Sequence, residues 1–132
     1  MNVIIAGSRS FKDYKKLREF CDEVLNSYDD IIIFSGGARG ADEMGEKYAL
    51  EKDYPIHMFP AHWNEIEGKP EKEIGTNKNG YRYWKLAGFA RNHKMAKEAD
   101  MLIAFWDGKS LGAKHMIETA KKKNVEIELC IF

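Results

Sequence analysis

The stretch "IIIFSGGARGADEMGEKYA" (residues 31–49) decides the fold of the first half of the chain. Four consecutive apolar residues are typical of a strand that is buried on both faces, and a glycine-rich turn then leads into a helical pattern. A strand-to-helix turn without large side chains leaves backbone amides open to a ligand, and the start of a helix favours an anion. The stretch therefore predicts a parallel-sheet domain with an anion-binding turn.

Apolar strands and amphipathic helices alternate along the rest of the chain. Further strands are expected at 2–6, 56–59, 101–105 and 125–132. Strands of this kind, separated by helices, form a parallel sheet that is covered on both faces. We predict an α/β fold, a Rossmann-like three-layer sandwich with a parallel five-stranded sheet in the order 3-2-1-4-5. Residues 1–132 are expected to form this single domain.

Charge and composition exclude some classes of partner. Lys and Arg together number 21, as do Asp and Glu, and this neutral total argues against nucleic acid as a partner. The segment from Lys69 to Lys97, however, contains eight basic residues and only two acidic ones, which fits either a focused anion site or a solvated loop. Cys21 and Cys130 both fit apolar patterns and are expected to be reduced core residues. No apolar run reaches the length of a membrane span and Met1 leads directly into a strand, so no membrane association and a cytoplasmic location are expected.

Three turns are expected to meet at the carboxyl edge of the sheet, where the strand order reverses and ligands bind in such folds. The turn at 35–40 is neither a P-loop nor a dinucleotide fingerprint, because the required Lys and the acid after the second strand are absent. The candidate ligand-binding residues at this edge are Gly7, Ser8, Arg9, Ser35, Gly36, Gly37, Arg39, Gly40, Asp42, Arg91, Asn92, Trp106, Asp107, Gly108, Ser110 and Gly112.

The roles of several of these residues have more than one interpretation. We assign Ser8, Arg9 and the turn at 36–39 to phosphate, although helix capping and a surface ion pair explain Ser8 and Arg9 equally well. Asp107 is assigned to ribose hydroxyls. Trp106 either stacks on a base or roofs the core, and Asn92 is either a satisfied core amide or a crevice residue.

Candidates for catalysis are fewer. Glu46, Asp107 and Asp42 are the carboxylates near the predicted crevice, and any of them is a candidate general acid or base. The four histidines show no metal-ligand spacing, so neither a metal nor a cofactor is expected.

Residues 60–86 show no clear periodicity and are predicted to be a lid-like insertion after the third strand. The aromatic residues Trp63, Tyr81, Tyr83 and Trp84 lie there among basic side chains, a combination that suits a nucleobase with its phosphate, or a single strand. The alternative is a surface insertion held together by its own aromatics.

Five motifs carry a family resemblance: "AGSRSF" (6–11), "SGGARGAD" (35–42), "PIHMFPAHW" (55–63), "AGFARNHKMA" (87–96) and "LIAFWDGKSLGAKHMI" (102–117). The chain resembles the SLOG superfamily in its small YspA-like branch. The resemblance implies a Rossmann-like fold that binds nucleotides or ADP-ribose-type derivatives, with a homo-oligomeric state common among relatives. Phosphoribohydrolases of the superfamily carry a P-G-G-x-G-T-x-x-E motif, and the closest stretch here has Ala113 and Met116 in place of the threonine and glutamate.

Three functions remain open. The first is a sensor or sequestering protein for a nucleotide-derived small molecule of the ADP-ribose or cyclic-nucleotide type. The second is an N-glycosidase or phosphoribohydrolase acting on such a molecule, for which the resemblance supplies no glutamate. The third is single-stranded nucleic-acid binding, against which the neutral total charge weighs.

Overall fold

The computed structural model describes residues 1–132, which form four α-helices, one short 3-10 helix and seven strands. The helices are α1 (Tyr14–Leu25), α2 (Ala41–Lys52), α3 (Ala87–Glu98) and α4 (Leu111–Lys122), and the 3-10 helix spans Glu71–Glu73. The strands are β1 (Asn2–Gly7), β2 (Ile32–Ser35), β3 (Ile56–Met58), β4 (Ile74–Thr76), β5 (Arg82–Trp84), β6 (Met101–Trp106) and β7 (Glu126–Ile131).

The main sheet has five parallel strands in the order β3-β2-β1-β6-β7. Because β6 and β7 are the fourth and fifth strands of this sheet along the chain, the predicted order 3-2-1-4-5 and the predicted fold are confirmed. β1 occupies the centre, and the order reverses between β1 and β6. Ligand crevices in such sheets form outside the carboxyl ends of the strands at this switch point.

Alternate residues of β1 enter two separate cores. Val3 and Ile5 pack with residues of α1 and α2 on one face of the sheet, whereas Ile4 and Ala6 pack with residues of α3 and α4 on the other. This two-sided burial explains why the strands are apolar throughout instead of alternating. Helix α2 also lies very close to the sheet, since a Cβ atom at Gly45 would be 2.7 Å from the Ile5 side chain.

The segment between β3 and α3 has secondary structure of its own. After the 3-10 helix, β4 and β5 pair antiparallel as a small hairpin. The Trp84 amide donates a hydrogen bond to the Trp63 carbonyl at 2.7 Å, and the Trp84 indole donates to the Glu73 carboxylate at 3.1 Å. The hairpin is therefore tied to the segment that precedes it. No helix of the chain combines the length and the apolar composition that crossing a membrane requires.

Candidate functional site

A groove runs along the carboxyl edge of the main sheet. It consists of a deep pocket of about 420 Å³ beside β1, β6, α3 and α4, and a shallower pocket of about 490 Å³ beside the turn after β2. The two pockets adjoin, because both are lined by Arg9, Ala38, Trp63 and Arg91. The groove thus passes over the switch point of the sheet, where the fold places ligands.

Ser8 organises the floor of the deep pocket. Its side chain is buried, and its Oγ accepts a hydrogen bond from the Asp107 amide at 3.1 Å and lies 2.9 Å from the Ser110 hydroxyl. The turn after β1 is thereby joined to the turn after β6. The Ser8 hydroxyl caps no helix, so the capping interpretation from the sequence is wrong. It instead helps to shape the turn that begins α4.

The turn after β2 is built around Gly36. The Arg91 guanidinium donates a hydrogen bond to the Gly36 carbonyl, so α3 is joined to this turn. A Cβ atom at Gly36 would lie 2.5 Å from Nη1 of Arg91 and 2.8 Å from Oδ2 of Asp42. Only glycine allows the backbone, the arginine and the carboxylate to approach so closely.

Asp42 is a buried carboxyl group in the wall of the deep pocket. Only 5% of the residue is exposed, and its Oδ2 accepts a weak hydrogen bond from the Ala38 amide at 3.4 Å. Burial raises the pKa of Asp42 to about 6, although the Arg91 guanidinium and the backbone donors act in the opposite direction. Burial likewise lowers the pKa of Arg91, and Asp42 opposes that shift. Asp42 can therefore change its charge close to neutral pH.

Asp107 is a carboxylate with the opposite tendency. Its Oδ1 accepts hydrogen bonds from the amides of Lys109 (2.9 Å) and Ser110 (2.8 Å), and these bonds lower the pKa of Asp107 to about 2. The carboxylate stays ionised and fixes the turn before α4. It also lines the deep pocket, as the assignment to a ribose hydroxyl requires.

The wall of the deep pocket opposite these polar groups is largely apolar. Phe89 and Met95 from α3 and Ala113 and Met116 from α4 line it. Met116, which stands where the phosphoribohydrolase motif has its glutamate, thus faces the pocket as a thioether. This side of the pocket therefore offers apolar contacts instead of a carboxylate.

The structure brings most of the predicted ligand-binding residues to the groove. The deep pocket and the shallower pocket are together lined by Gly7, Ser8, Arg9, Gly36, Gly37, Arg39, Asp42, Arg91, Asn92, Asp107, Ser110 and Gly112.

Other candidates lie behind the groove. The hydroxyl of Ser35 donates to the Glu46 carboxylate at 2.6 Å and accepts from the Gly37 amide at 3.1 Å, so both residues support the turn from below. Trp106 donates its indole N–H to the Ser110 carbonyl at 3.1 Å and packs against the core, which favours its role as a roof of the core over base stacking. Gly40 precedes α2 and Gly108 lies in the turn after β6; neither lines a wall of the groove.

Three of the four aromatics in residues 60–86 do not line the groove, among them Tyr83 and Trp84, one of which was expected to contact a base if the insertion closes as a lid. Tyr81 is at the turn of the hairpin and is 72% exposed, while Tyr83 and Trp84 line neither pocket of the groove. The aromatic side chain that does line both pockets is Trp63, which is 41% exposed. The physical reason is the hairpin itself, which holds Trp84 against Lys69 and Glu73.

Phe89, which lines the groove, and His115, which packs against it, carried no individual signal in the sequence. Phe89 lines the deep pocket, and its ring stacks on His115 with centroids 4.0 Å apart. Both lie in helical stretches whose exposed faces gave no indication of a ligand. Phe89 and His115 meet because α3 packs against α4, and that packing depends on the order of the strands in the sheet. No cluster of three or more histidine, cysteine or acidic side chains is arranged to hold a metal ion.

Comparisons with known proteins agree with this architecture. The family described as "YspA, cpYpsA-related SLOG family" matches residues 1–65. The Gene 61 protein of Mycobacterium phage D29 is 29% identical over 132 residues, which is 95% of this chain and 92% of that protein. The family match confirms the predicted SLOG relationship over residues 1–65.

Two solved structures share the fold. DNA processing protein A (DprA) from Streptococcus pneumoniae superposes with a TM-score of 0.68 at 18% identity, covering 97% of this chain and 49% of that one. DNA processing protein A from Helicobacter pylori superposes with a TM-score of 0.65 at 20% identity, covering 98% of this chain and 64% of that one. The chain therefore spans about half to two thirds of the length of these proteins.

One expectation from the sequence needs correction. The neutral total charge was taken to argue against nucleic acid, yet the Helicobacter pylori protein with this fold is described as having a single-stranded DNA binding mode. The inference fails because a total charge averages over the whole surface, whereas binding depends on local charge. In this chain Arg9, Arg39, Arg91 and Lys85 all line the groove.

Proposed function

We propose that this chain, a member of the SLOG superfamily, binds single-stranded nucleic acid along the groove at the carboxyl edge of its sheet. The observation that carries the proposal is the continuity of the groove, in which Arg9 and Arg91 line the deep and the shallower pocket alike. A single pocket suits one nucleotide, but two adjoining pockets with cations at their junction suit consecutive phosphates of an extended strand. The single-stranded DNA binding described for a protein of the same fold supports this choice.

The groove supplies the three kinds of contact that single strands use. Arg9, Arg39 and Arg91 offer guanidinium groups to phosphates. The turn at Gly36 and Gly37 lets the backbone approach a phosphate closely, and the exposed part of the Trp63 ring offers a surface for a base. In this proposal the apolar wall of the deep pocket binds one base, and Asp107, which lines the same pocket, accepts a hydrogen bond from a sugar hydroxyl.

Binding of a free nucleotide or nucleotide-derived molecule is the second candidate. It is favoured by the deep pocket alone, which combines a polar floor with an apolar wall in a volume of about 420 Å³. An ADP-ribose-type ligand would place its phosphates at Ser8 and Arg9 and its base against Met95 and Met116. Both functions use the same polar groups, so they differ in how affinity depends on the length of the ligand.

Fluorescence anisotropy with labelled oligonucleotides separates the two candidates. A length series of single-stranded DNA and RNA, with AMP and ADP-ribose as competitors, should give affinity that rises with length until the groove is filled. Three arginine–phosphate contacts predict that log K falls with log salt concentration with a slope of about −2. Arg9→Gln and Arg39→Gln should each reduce this slope by about 0.7.

Arg18→Gln provides the matched control, because Arg18 is an exposed residue of α1 that lines neither pocket. It should leave both the affinity and the salt slope unchanged. Equal affinity for a mononucleotide and a long oligonucleotide would replace the main proposal with the second candidate. Absence of binding to every oligonucleotide and nucleotide would refute both.

A further inference from the structure

His115 lies outside the groove but contacts two residues that line it. It is a partly buried residue of α4, and its Nδ1 is 3.1 Å from Nδ2 of Asn92. Its ring stacks on Phe89 at 4.0 Å with an angle of 17° between the planes. Asn92 and Phe89 both belong to the deep pocket, so His115 supports that pocket from behind.

The contacts continue from His115 to the turn after β2. Asn92 is buried, and its Oδ1 accepts a hydrogen bond from Nε of Arg91 at 3.1 Å. The Arg91 guanidinium in turn donates to the Gly36 carbonyl. Three hydrogen bonds thus join α4, α3 and the glycine turn in one chain, and Arg91 is its only member that reaches both pockets of the groove.

The donors and acceptors of this chain fix one protonation state. Arginine is a donor only, so the amide oxygen of Asn92 must face Arg91 and its NH₂ group must face His115. His115 must then accept at Nδ1, which requires a neutral ring with its proton on Nε2. A doubly protonated ring has no acceptor, and a flipped Asn92 amide would direct its NH₂ group at Nε of Arg91.

We propose that His115 is a positioning residue that holds Arg91 in its phosphate-binding orientation through Asn92, and that protonation of His115 releases Arg91. The proposal rests on the proposed function, since the phosphate of a nucleotide unit is the group that Arg91 would bind. The contact between Arg91 and the phosphate is then regulated by pH, because it depends on the protonation of His115, which the ligand does not touch.

The charged surroundings of His115 are consistent with a neutral ring. The groups that act on it are His93 from α3 and Glu118 and Lys122 from its own helix. Burial, followed by the charge of His93, lowers the pKa of His115, and Glu118 opposes this shift. The rings of His93 and His115 are nearly perpendicular, with centroids 5.4 Å apart, but His93 makes no hydrogen bond to Asn92. His93 therefore serves as a matched control.

The direction of the effect distinguishes it from simple electrostatics. As the pH falls, a positive charge on His115 or the loss of negative charge on Asp42 would strengthen the attraction of an anion to the groove. Loss of the hydrogen bond from Asn92 would weaken binding instead. A decrease in affinity on acidification that depends on His115 therefore reports the positioning contact and not the added charge.

The first test needs no ligand. The Arg91 Nε–H signal in ¹⁵N NMR spectra reports its hydrogen bond to Asn92 through slow exchange with water. We expect a protected signal at neutral pH that is lost on acidification in the wild type, lost at every pH in His115→Phe, and retained at every pH in His115→Asn. Phenylalanine keeps the stack on Phe89 without an acceptor, whereas the asparagine oxygen replaces Nδ1 and does not titrate. An Arg91 signal that is the same in the wild type and in His115→Phe would overturn the proposal.

The second test measures oligonucleotide affinity across the same pH range. His115→Phe should weaken binding about fivefold to tenfold at neutral pH, the equivalent of one lost hydrogen bond. His115→Asn should bind as tightly as the wild type and should not weaken in acid, while His93→Asn should behave as the wild type throughout. A failure of the wild type to bind any oligonucleotide would refute the proposed function, and the Arg91 signal would still decide the role of His115.

Discussion

Replacing Asp42 with asparagine should stabilise the protein at alkaline pH. The Asp42 carboxyl group is 5% exposed, and burial raises its pKa to about 6 from a normal value near 3.8. Asparagine has nearly the same shape and retains an oxygen that can accept from the Ala38 amide, but it cannot ionise. The measurement is the free energy of unfolding of Asp42→Asn and of the wild type in urea at a series of pH values.

The sign follows from proton binding. Between pH 4 and pH 6 the folded protein holds a proton on Asp42 that the unfolded chain has lost, so this group stabilises the fold most in acid. The stabilisation is lost as the pH rises through 6. A shift of about two units corresponds to about 3 kcal/mol. The unfolding free energy of Asp42→Asn minus that of the wild type should therefore increase by about 2–3 kcal/mol from pH 4 to pH 8.

Subtracting the wild type at each pH removes the contributions of all other titrating groups. Glu43→Gln is the matched control, because it removes a negative charge from the same helical turn at an exposed position. It should change the unfolding free energy by no more than about 1 kcal/mol. If the difference in unfolding free energy between Asp42→Asn and the wild type stayed constant or decreased toward pH 8, burial would not raise the pKa of Asp42 and the reasoning would be wrong.

Two further substitutions test the groove directly. Gly36→Ala should destabilise the fold by about 1–3 kcal/mol in urea and weaken oligonucleotide binding, because the new Cβ atom would be 2.5 Å from Nη1 of Arg91. Gly112→Ala, where the added atom meets open space, should leave the stability unchanged. Trp63→Ala should reduce oligonucleotide affinity by about 1–3 kcal/mol with little loss of stability, whereas Tyr81→Ala at the hairpin turn should leave affinity unchanged in the same anisotropy titration. Equal effects of the two aromatic substitutions would contradict the placement of the strand in the groove.

The sheet could be predicted from the sequence because burial on both faces leaves a simple pattern. Strands such as β1 and β6 consist almost entirely of buried apolar residues, and helices separate them. The hairpin could not be predicted, since β4 and β5 have three residues each and are only partly buried. Its stability comes from contacts such as Trp84 with Glu73 and Trp63, and no local periodicity records such contacts.

The site was predictable where a residue follows a strand. Ser8, Gly36 and Asp107 were expected at one edge because parallel strands end at the same edge, and all three line the groove there. Trp63 was one of four aromatics considered for a base, but the sequence did not indicate which of them lines the groove, since that depends on the path of the insertion. The role proposed for His115 could not be predicted either, because it arises from a hydrogen bond between two residues on different helices, 23 positions apart in the chain.

Asp42 and His115 are expected to lower the affinity of the groove at opposite ends of the pH range. Ionised Asp42 lies beside Arg91 and repels a phosphate, so its ionisation above a pKa of about 6 should weaken binding. Protonated His115 withdraws support from Arg91, so acid should weaken binding as well. Affinity for single-stranded DNA should then pass through a maximum, with Asp42→Asn removing the alkaline decrease and His115→Asn removing the acid decrease. If either variant changed both limbs, the two groups would act as one coupled unit and the separate roles argued for them would be wrong.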